Sequence, residues 1–186
     1  MATVDRETAL LTAEEFANRP DSGVAEELER GVVVMSPMPG ARHGKVCATF
    51  ARLLGNHVAD HDLGHVMGND SGVVVERGPD TVRGADVSFY SYDRLPRGDP
   101  PAGYPTRPPE LVCEVLSPGD RWRDVAAKVG EYLKAGVLIV VVLDPEKRKA
   151  RVFEVGGELV ALGPEDVLRL DAILPGFEVV VGRLFD

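Results

Sequence analysis

The chain has 186 residues, 44% of them hydrophobic and 27% charged, so it is large and apolar enough to form one domain over residues 1–186. Its net charge of −9 argues against a nucleic-acid partner, because proteins that bind phosphates usually carry excess basic residues. No stretch approaches the roughly 20 apolar residues of a membrane span, and residues 1–11 lack the pattern of a secretory signal. We therefore expect a cytoplasmic protein without membrane contact. Cys47 and Cys113 are too few for a disulfide framework.

The N-terminal part predicts a short helix and a hairpin. Thr12 followed by Glu15 is the pattern of a capping box, and the helix that it opens should end before Pro20. Residues 23–37 predict two strands joined by a turn at residues 30–31, because β-branched residues follow that turn.

A long helix, strands and a loop follow. Apolar residues recur at steps of three and four between residues 42 and 61, which is the periodicity of a helix that faces the core. Residues 64–78 predict a broken or bent strand pair, and residues 82–90 predict a strand with Asp86 at its start. Six prolines between Pro96 and Pro109 predict a long loop, which is either functional or a plain surface excursion.

Glu114 lies inside the apolar strand 111–116. An ionised carboxylate in such a strand costs roughly 2–7 kcal/mol unless a metal ion or a cation compensates it, so this residue marks a candidate site. A turn and a helix over residues 121–135 follow, and the apolar run 136–145 predicts another strand. Because such crossovers are nearly always right-handed and join parallel strands, these two strands should be parallel.

The C-terminal region predicts short strands with a turn at Gly156-Gly157. Its last segment, residues 177–185, predicts an apolar strand whose edge could pair in a homodimer. The predicted fold class is α/β, with a central mixed β-sheet flanked by helices and preceded by an N-terminal helix and β-hairpin.

Four parts of the chain together carry a family resemblance: the hairpin ending GVVVMSP, the downstream His43, the strand GADVSFY, and ELVCEVLSPGDRWRDVAAKVGEYLKAGV, which leads to VLDP. In this order they resemble the Uma-type putative restriction endonuclease family, a branch of the PD-(D/E)XK nuclease superfamily. The resemblance runs from about Glu14 through the C-terminal LPGFEVVVGRLF. It implies a restriction-endonuclease-like core with carboxylates on two neighbouring strands and a lysine nearby.

The resemblance implies a metal site. Asp86 and Glu114 match the two acidic positions and would bind Mg²⁺ or Mn²⁺, with the carbonyl of Val115 as a third ligand. Ala85 stands where the family usually has proline, although the acid that follows is retained.

The basic residue of the superfamily is displaced in this chain. Leu116 occupies the position of the usual lysine, and the resemblance moves that role to Lys128 on the following helix. Lys128 would orient the attacking water or stabilise the pentacovalent phosphorus. Glu27 and His43 match further recurrent positions and are supporting candidates.

Each candidate also has a purely structural interpretation. Asp86 could cap a turn, and Lys128 could form an exposed ion pair with Asp124, worth about 0.3–0.5 kcal/mol. Glu27 could be an ordinary hairpin charge, and His43 could simply pack at a helix start.

Two other sites have less support. His57, His61 and His65 recur every four residues and would share one face of a continuous helix, as zinc ligands do. The helix should end before His65, however, and histidines near a helix C-terminus are favoured by its dipole. Ser117 has no histidine at a spacing that a serine hydrolase would need.

The sequence therefore predicts a metal-dependent endonuclease that hydrolyses DNA. A non-catalytic nuclease-like binding or regulatory protein is the alternative, favoured by the acidic charge, Ala85 and the displaced lysine. A hydrolase for a smaller phosphoester is a third interpretation. Basic residues such as Arg42, Lys45 and Arg121 are either solvated helix faces or a track for phosphates.

Overall fold

The protein is described by a computed structural model over residues 10–20 and 22–186. The prediction about a secretory signal falls mainly on residues 1–9, which lie outside the described residues. The helices are α1 (Ala13–Ala17), α2 (Ala41–Asp60), α3 (Trp122–Ala135) and a 3-10 helix (Val181–Leu184). The strands are β1 (Glu26–Glu29), β2 (Val32–Met35), β3 (Gly64–Glu76), β4 (Thr81–Ser91), β5 (Leu111–Val115), β6 (Ile139–Asp144), β7 (Lys149–Glu154), β8 (Val160–Leu162), β9 (Val167–Arg169) and β10 (Glu178–Val180).

One mixed sheet organises the described residues. Its strands follow the order β2-β1-β4-β5-β6-β7-β8, and β3 pairs with β4. Strands β5 and β6 are parallel and joined by α3, as the crossover argument predicted, whereas the remaining pairs in this sheet are antiparallel. The predicted α/β class, the central mixed sheet and the N-terminal helix and hairpin are confirmed.

The side chains of β5 and β6 alternate between two separate hydrophobic cores, one on each face of the sheet. Leu111 and Cys113 pack on the face covered by α2 and the C-terminal segment. Val112 lies on the opposite face, against α3. Because successive side chains of a strand point to opposite faces, Glu114 shares the α3 face with Val112. This places the carboxylate under Tyr132 of α3.

Local signals explain how the helices begin and end. Thr12 and Glu15 form the predicted capping box at the start of α1. Helix α3 ends at Gly136, whose φ of 104° is the left-handed conformation that glycine adopts without a Cβ penalty. The chain can therefore turn at once into β6.

The structure corrects the strand boundaries around Asp86. Strand β4 begins at Thr81, so Asp86 lies inside the strand and neither starts it nor caps a turn. Residues 64–76, predicted as a broken or bent strand pair, form a single strand, β3. Its register with β4 shifts between Gly68 and Ser71, where Asn69 and Asp70 have positive φ angles of 60° and 54°. A β-bulge therefore bends this strand beside the site.

The C-terminal segment forms a shorter strand than the sequence predicts. Strand β10 has only three residues, pairs with β9, and passes directly into the 3-10 helix. Phe177, Val181 and Leu184 are buried in the α2-side core. These buried side chains pack the segment against α2, and among the described strands β10 pairs with β9 alone.

The proline-rich segment 96–109 forms a loop without helix or strand, as predicted. Arg94 holds both ends of the loop near α3 by donating to the carbonyl oxygens of Pro108, Pro109 and Gly136 at 2.8–3.0 Å. No helix among the described residues is long and apolar enough to cross a membrane.

Candidate active site

The site lies where the sheet opens beside β4. Strand β4 pairs with β1 only at Val82 and with β5 only from Val87 to Phe89. Residues 83–86 therefore pair with neither of these strands. A side chain replaces a strand partner there, because the Glu27 carboxylate accepts a hydrogen bond from the Gly84 amide at 3.1 Å. The gap leaves room for polar side chains inside an otherwise apolar sheet.

Asp86 is buried in this opening, and both of its carboxylate oxygens contact neighbouring elements. Its Oδ2 accepts a hydrogen bond from the Val115 amide at 2.7 Å, which bridges β4 and β5 where they diverge. Its Oδ1 lies 3.2 Å from Nε2 of His43 on α2. The hydrogen bond to Asp86 raises the pKa of His43, although partial burial opposes the shift. Asp86 thus joins two strands and the start of a helix.

Glu114 projects from β5 toward α3. Its Oε1 accepts a hydrogen bond from the buried Tyr132 hydroxyl at 2.7 Å. Desolvation, together with the charge of Asp86, raises the pKa of Glu114 to about 8, and the nearby Lys128 opposes this rise. The carboxyl of Glu114 therefore holds a proton more tightly than an exposed glutamate does.

Lys128 reaches the site from α3 and meets Glu27 from β1. Its Nζ donates to Glu27 Oε1 at 2.8 Å, and this bond takes the place of the alternative ion pair with Asp124. Burial opposes the charge of Lys128, but the carboxylates of Glu114 and Glu27 outweigh it and raise the pKa of the amine. The side chain is therefore an ammonium ion at neutral pH.

Glu27 is far from an ordinary hairpin charge. It is buried and accepts from Lys128, from the Gly84 amide and from Arg83, whose guanidinium lies 3.0 Å from Oε2. Arg83 also forms a two-point pair with Glu131 at 2.7 and 3.0 Å. Sequence reasoning missed Arg83, because its partners come from β1 and α3.

These groups line one cavity of about 400 Å³. The five sequence-predicted side chains all line it: Glu27, His43, Asp86, Glu114 and Lys128. Val115 lines it too, and its amide is the group bonded to Asp86. None of the residues 96–109 does so. The opening in the sheet is thus the floor of a polar cleft.

Asp70 is a second residue of the site that sequence reasoning missed, after Arg83. It lies in the β3 bulge and lines the same cavity. Partial burial of its carboxyl and the charge of Asp86 raise the pKa of Asp70. Asn-Asp is a pair that tolerates left-handed backbone, so GND inside a strand was the available signal for a bulge.

The histidine hypothesis for zinc is not supported by the positions of the three residues. The rings of His57 and His61 stack with centroids 4.3 Å apart near the end of α2. His65 lies in β3, where its Nε2 contacts the Pro96 carbonyl oxygen at 3.1 Å. Ser117 takes part in a turn, with its amide donating to Asp120 at 2.7 Å.

The donor set fits a hard divalent cation. Mg²⁺ is usually held by one or two carboxylates and several waters, and oxygen is its preferred ligand. Burial, and then repulsion by the charge of Asp86, raise the pKa values of Glu114 and of Asp70, which lines the same cavity. A cation among them would relieve that repulsion. Asp86 and Glu114 are the residues that would hold the ion.

Comparison with known proteins gives relatives over nearly the whole domain. The sequence model of the family described as "Uma2: Putative restriction endonuclease" matches residues 13–182. The crystal structure at 1.96 Å resolution of a putative nuclease belonging to DUF820 from Anabaena variabilis ATCC 29413 superposes with a TM-score of 0.78. The two chains are 19% identical, and the match covers 94% of this chain and 97% of that one. No functionally curated protein matches the chain in sequence.

Proposed function

Because the chain belongs to the Uma2 putative restriction endonuclease family and has a restriction-endonuclease-like fold, we propose that it is a metal-dependent endonuclease that hydrolyses DNA. The observation that carries the proposal is the meeting of Asp86, Glu114 and Lys128 at one cavity. Two carboxylates can hold a divalent cation, and an ammonium ion can stabilise the negative charge that builds up on the phosphate. Mg²⁺ or Mn²⁺ is the proposed cofactor.

Asp86 and Glu114 are the proposed metal-binding side chains. Asp86 is held rigidly by the Val115 amide and His43, and Glu114 is held by Tyr132. A divalent cation bound here would lower the pKa of a water and offset the charge that builds on the phosphate. The Val115 carbonyl stays a proposed third ligand.

Lys128 is the proposed electrostatic catalyst. As an ammonium ion it cannot accept a proton, so it would donate hydrogen bonds that orient the attacking water or stabilise the charged transition state. Glu27 positions it through the 2.8 Å bond. His43 is proposed to hold Asp86 in place.

The net charge of −9 does not prevent local contact with phosphates. Arg42 and Lys45 are exposed in the first turns of α2, on either side of His43 in sequence. Arg121 lines a second cleft together with Glu114 and Lys128. We propose these three residues as the contacts to the DNA backbone.

The test is cleavage of supercoiled plasmid and of short single- and double-stranded DNA with Mg²⁺ or Mn²⁺. We expect Asp86→Asn, Glu114→Gln and Lys128→Met to lower the rate by roughly 10²-fold or more. Asp60→Asn on α2 and Lys134→Met on α3 are matched controls, because both residues are exposed and neither lines the cavity. All variants purified in parallel also report any contaminating nuclease.

A specific observation favours the second candidate, a nuclease-like protein that binds without cutting. The Lys128 ammonium is already bonded to Glu27. DNA binding without metal-dependent cleavage would support this candidate. Cleavage that persists in the Asp86 and Glu114 variants would place the reaction elsewhere. Loss in these two variants but not in Lys128→Met would keep the metal site and remove the proposed role of the lysine.

A further inference from the structure

Trp122 is the only tryptophan of the chain and is the first residue of α3. Its indole rests on strand β7. The guanidinium carbon of Arg151 is 4.5 Å from the ring centroid, and the Phe153 ring stacks at a centroid distance of 6.3 Å and an interplanar angle of 28°. Arg151 and Phe153 are two positions apart on β7, so both contact the indole from the sheet. Trp122 is nevertheless 43% exposed, which leaves the outer side of the ring to solvent.

A row of paired residues connects this ring to the candidate active site. Glu114 on β5 pairs with Val142 on β6, and Val142 pairs with Arg151 on β7. Because paired residues point to the same face and neighbouring strands lie about 4.8 Å apart, Arg151 is roughly 10 Å from Glu114 along this row. Arg121, directly before Trp122, lines the second cleft together with Glu114. The ring therefore lies next to the site.

The surroundings of the ring favour a polyanion. Arg121 and Arg123 flank the tryptophan in sequence and are exposed. Arg151 adds a guanidinium at the ring itself. The acids nearby already have partners, because Asp124 lies 3.5 Å from Arg123 Nε and Asp120 accepts a hydrogen bond in the preceding turn. Helix α3 also begins here without a side-chain cap, and the positive end of its dipole attracts phosphates.

An aromatic face beside cations is suited to single-stranded nucleic acid, because any base can stack on the ring while the cations offset the phosphates. The bases of a duplex already stack on each other, so an unpaired base is the one that can stack on the indole. A DNA strand advances about 3.4 Å per stacked nucleotide. A strand with one phosphate at Glu114 would therefore reach the ring within roughly three nucleotides.

We infer that Trp122 is a stacking platform for one unpaired base of the DNA strand held at the candidate active site. The inference rests on the proposed function, and it names single-stranded or locally melted DNA as the substrate class that this face selects. Arg151 and Phe153 hold the ring in place before binding, so little side-chain entropy is lost when a base stacks on it.

The single tryptophan provides a direct readout. Its fluorescence is followed while an oligothymidylate of about 12 nucleotides is added, with Ca²⁺ in place of Mg²⁺ so that the measurement does not depend on cleavage. Stacking of a base on the indole should quench this emission at saturation. A blunt duplex of the same length should leave the emission nearly unchanged, because its bases are paired.

Fluorescence anisotropy of labelled DNA measures the contribution of the ring to affinity. Trp122→Leu should weaken single-strand binding by about fivefold or more and duplex binding by less than about twofold. Trp122→Phe keeps an aromatic face and should bind single strands within about threefold of the wild type. Tyr92→Leu is the matched control, because the Tyr92 ring also lies under an arginine, 3.9 Å from the guanidinium carbon of Arg97, and lines neither the site cavity nor the second cleft. Thermal melts confirm that the variants fold.

Single-strand binding without quenching would overturn the stacking platform and leave the proposed endonuclease intact. An equal loss of single-strand and duplex affinity in Trp122→Leu would also overturn the platform, because the ring would then only support the fold. Emission that changes with protein concentration alone would overturn it by showing that a second copy covers the ring. Quenching by DNA in a protein that cuts no DNA with Mg²⁺ or Mn²⁺ would keep the platform and remove the endonuclease.

Discussion

At the scale of single residues, the charge of Glu114 decides what the site can do. Desolvation raises its pKa from 4.5 to about 8. The folded protein therefore holds this proton more tightly than the unfolded chain does. The resulting stability is fully present below pH 4.5 and is lost as the pH rises through about 8.

Glu114→Gln should therefore stabilise the metal-free protein increasingly with pH. Glutamine keeps an acceptor for Tyr132 but has no charge to desolvate. The gain in free energy of unfolding over the wild type should grow by up to about 1.4 kcal/mol per pH unit between pH 4.5 and 8, and then level off. Urea unfolding in chelator at pH 5, 7 and 9 measures it. Exposed Glu165→Gln is the control, and a gain independent of pH would contradict the assigned cause.

The same residue should make metal binding depend on pH. A cation competes with the Glu114 proton, so Mn²⁺ affinity should fall by up to about tenfold per unit as the pH drops from 8 to 6. Calorimetric titration of wild type over this range measures the slope. A flat profile would show that Glu114 does not lose a proton on binding.

At the scale of elements, one ion-pair network ties the hairpin and α3 to β4. Arg83 on β4 contacts Glu27 on β1 and Glu131 on α3. Glu27 also accepts a hydrogen bond from Lys128. The network thus connects the stability of the sheet opening to the position of the candidate lysine.

Arg83→Met should destabilise the protein by about 3–5 kcal/mol, because the buried Glu27 loses one of its two cationic partners. Arg169→Met removes an exposed pair with Glu178 and should change stability by less than about 1 kcal/mol. Chemical denaturation measures both. A loss for Arg83→Met as small as that of the control would mean that the network contributes little.

At the scale of the whole molecule, the proposed contact with DNA would need a local basic surface, because the net charge of the protein is −9. The exposed Arg42 and Lys45 are the candidates on α2, because they flank the cavity residue His43 in sequence and together line a second cavity. Each phosphate contact adds about 0.9 to the slope of log affinity against log salt concentration.

Replacing Arg42 and Lys45 together by alanine should reduce that slope by about 0.9 for each residue and weaken binding equally on all DNA sequences. Fluorescence anisotropy at several salt concentrations, with Ca²⁺ in place of Mg²⁺, measures the slope. Arg169→Ala is the control, because this exposed arginine pairs with Glu178 and lines neither the site cavity nor the cavity of Arg42 and Lys45. An unchanged slope in the double variant would place the DNA elsewhere.

A homodimer stays a prediction, which light scattering checks.

The sequence by itself determined the elements whose patterns are local. The α1 capping box, the periodicity of α2 and the strand–helix–strand crossover around α3 are each encoded in adjacent residues, and all three are confirmed. Glu114 was also visible, since a carboxylate in an apolar strand is costly wherever the strand lies. The family resemblance supplied Asp86 and Lys128, which do line one cavity with Glu114.

Only the tertiary structure decided the partners of those residues. Lys128 and Glu27 are 101 positions apart, and Arg83 and Glu131 are 48 apart, so no local pattern relates them. The bulge that brings Asp70 to the cavity depends on the register of β3 with β4. These contacts exist because β4 leaves both β1 and β5 unpaired over residues 83–86. Strand order and register, which arise from packing of the entire core, set that opening.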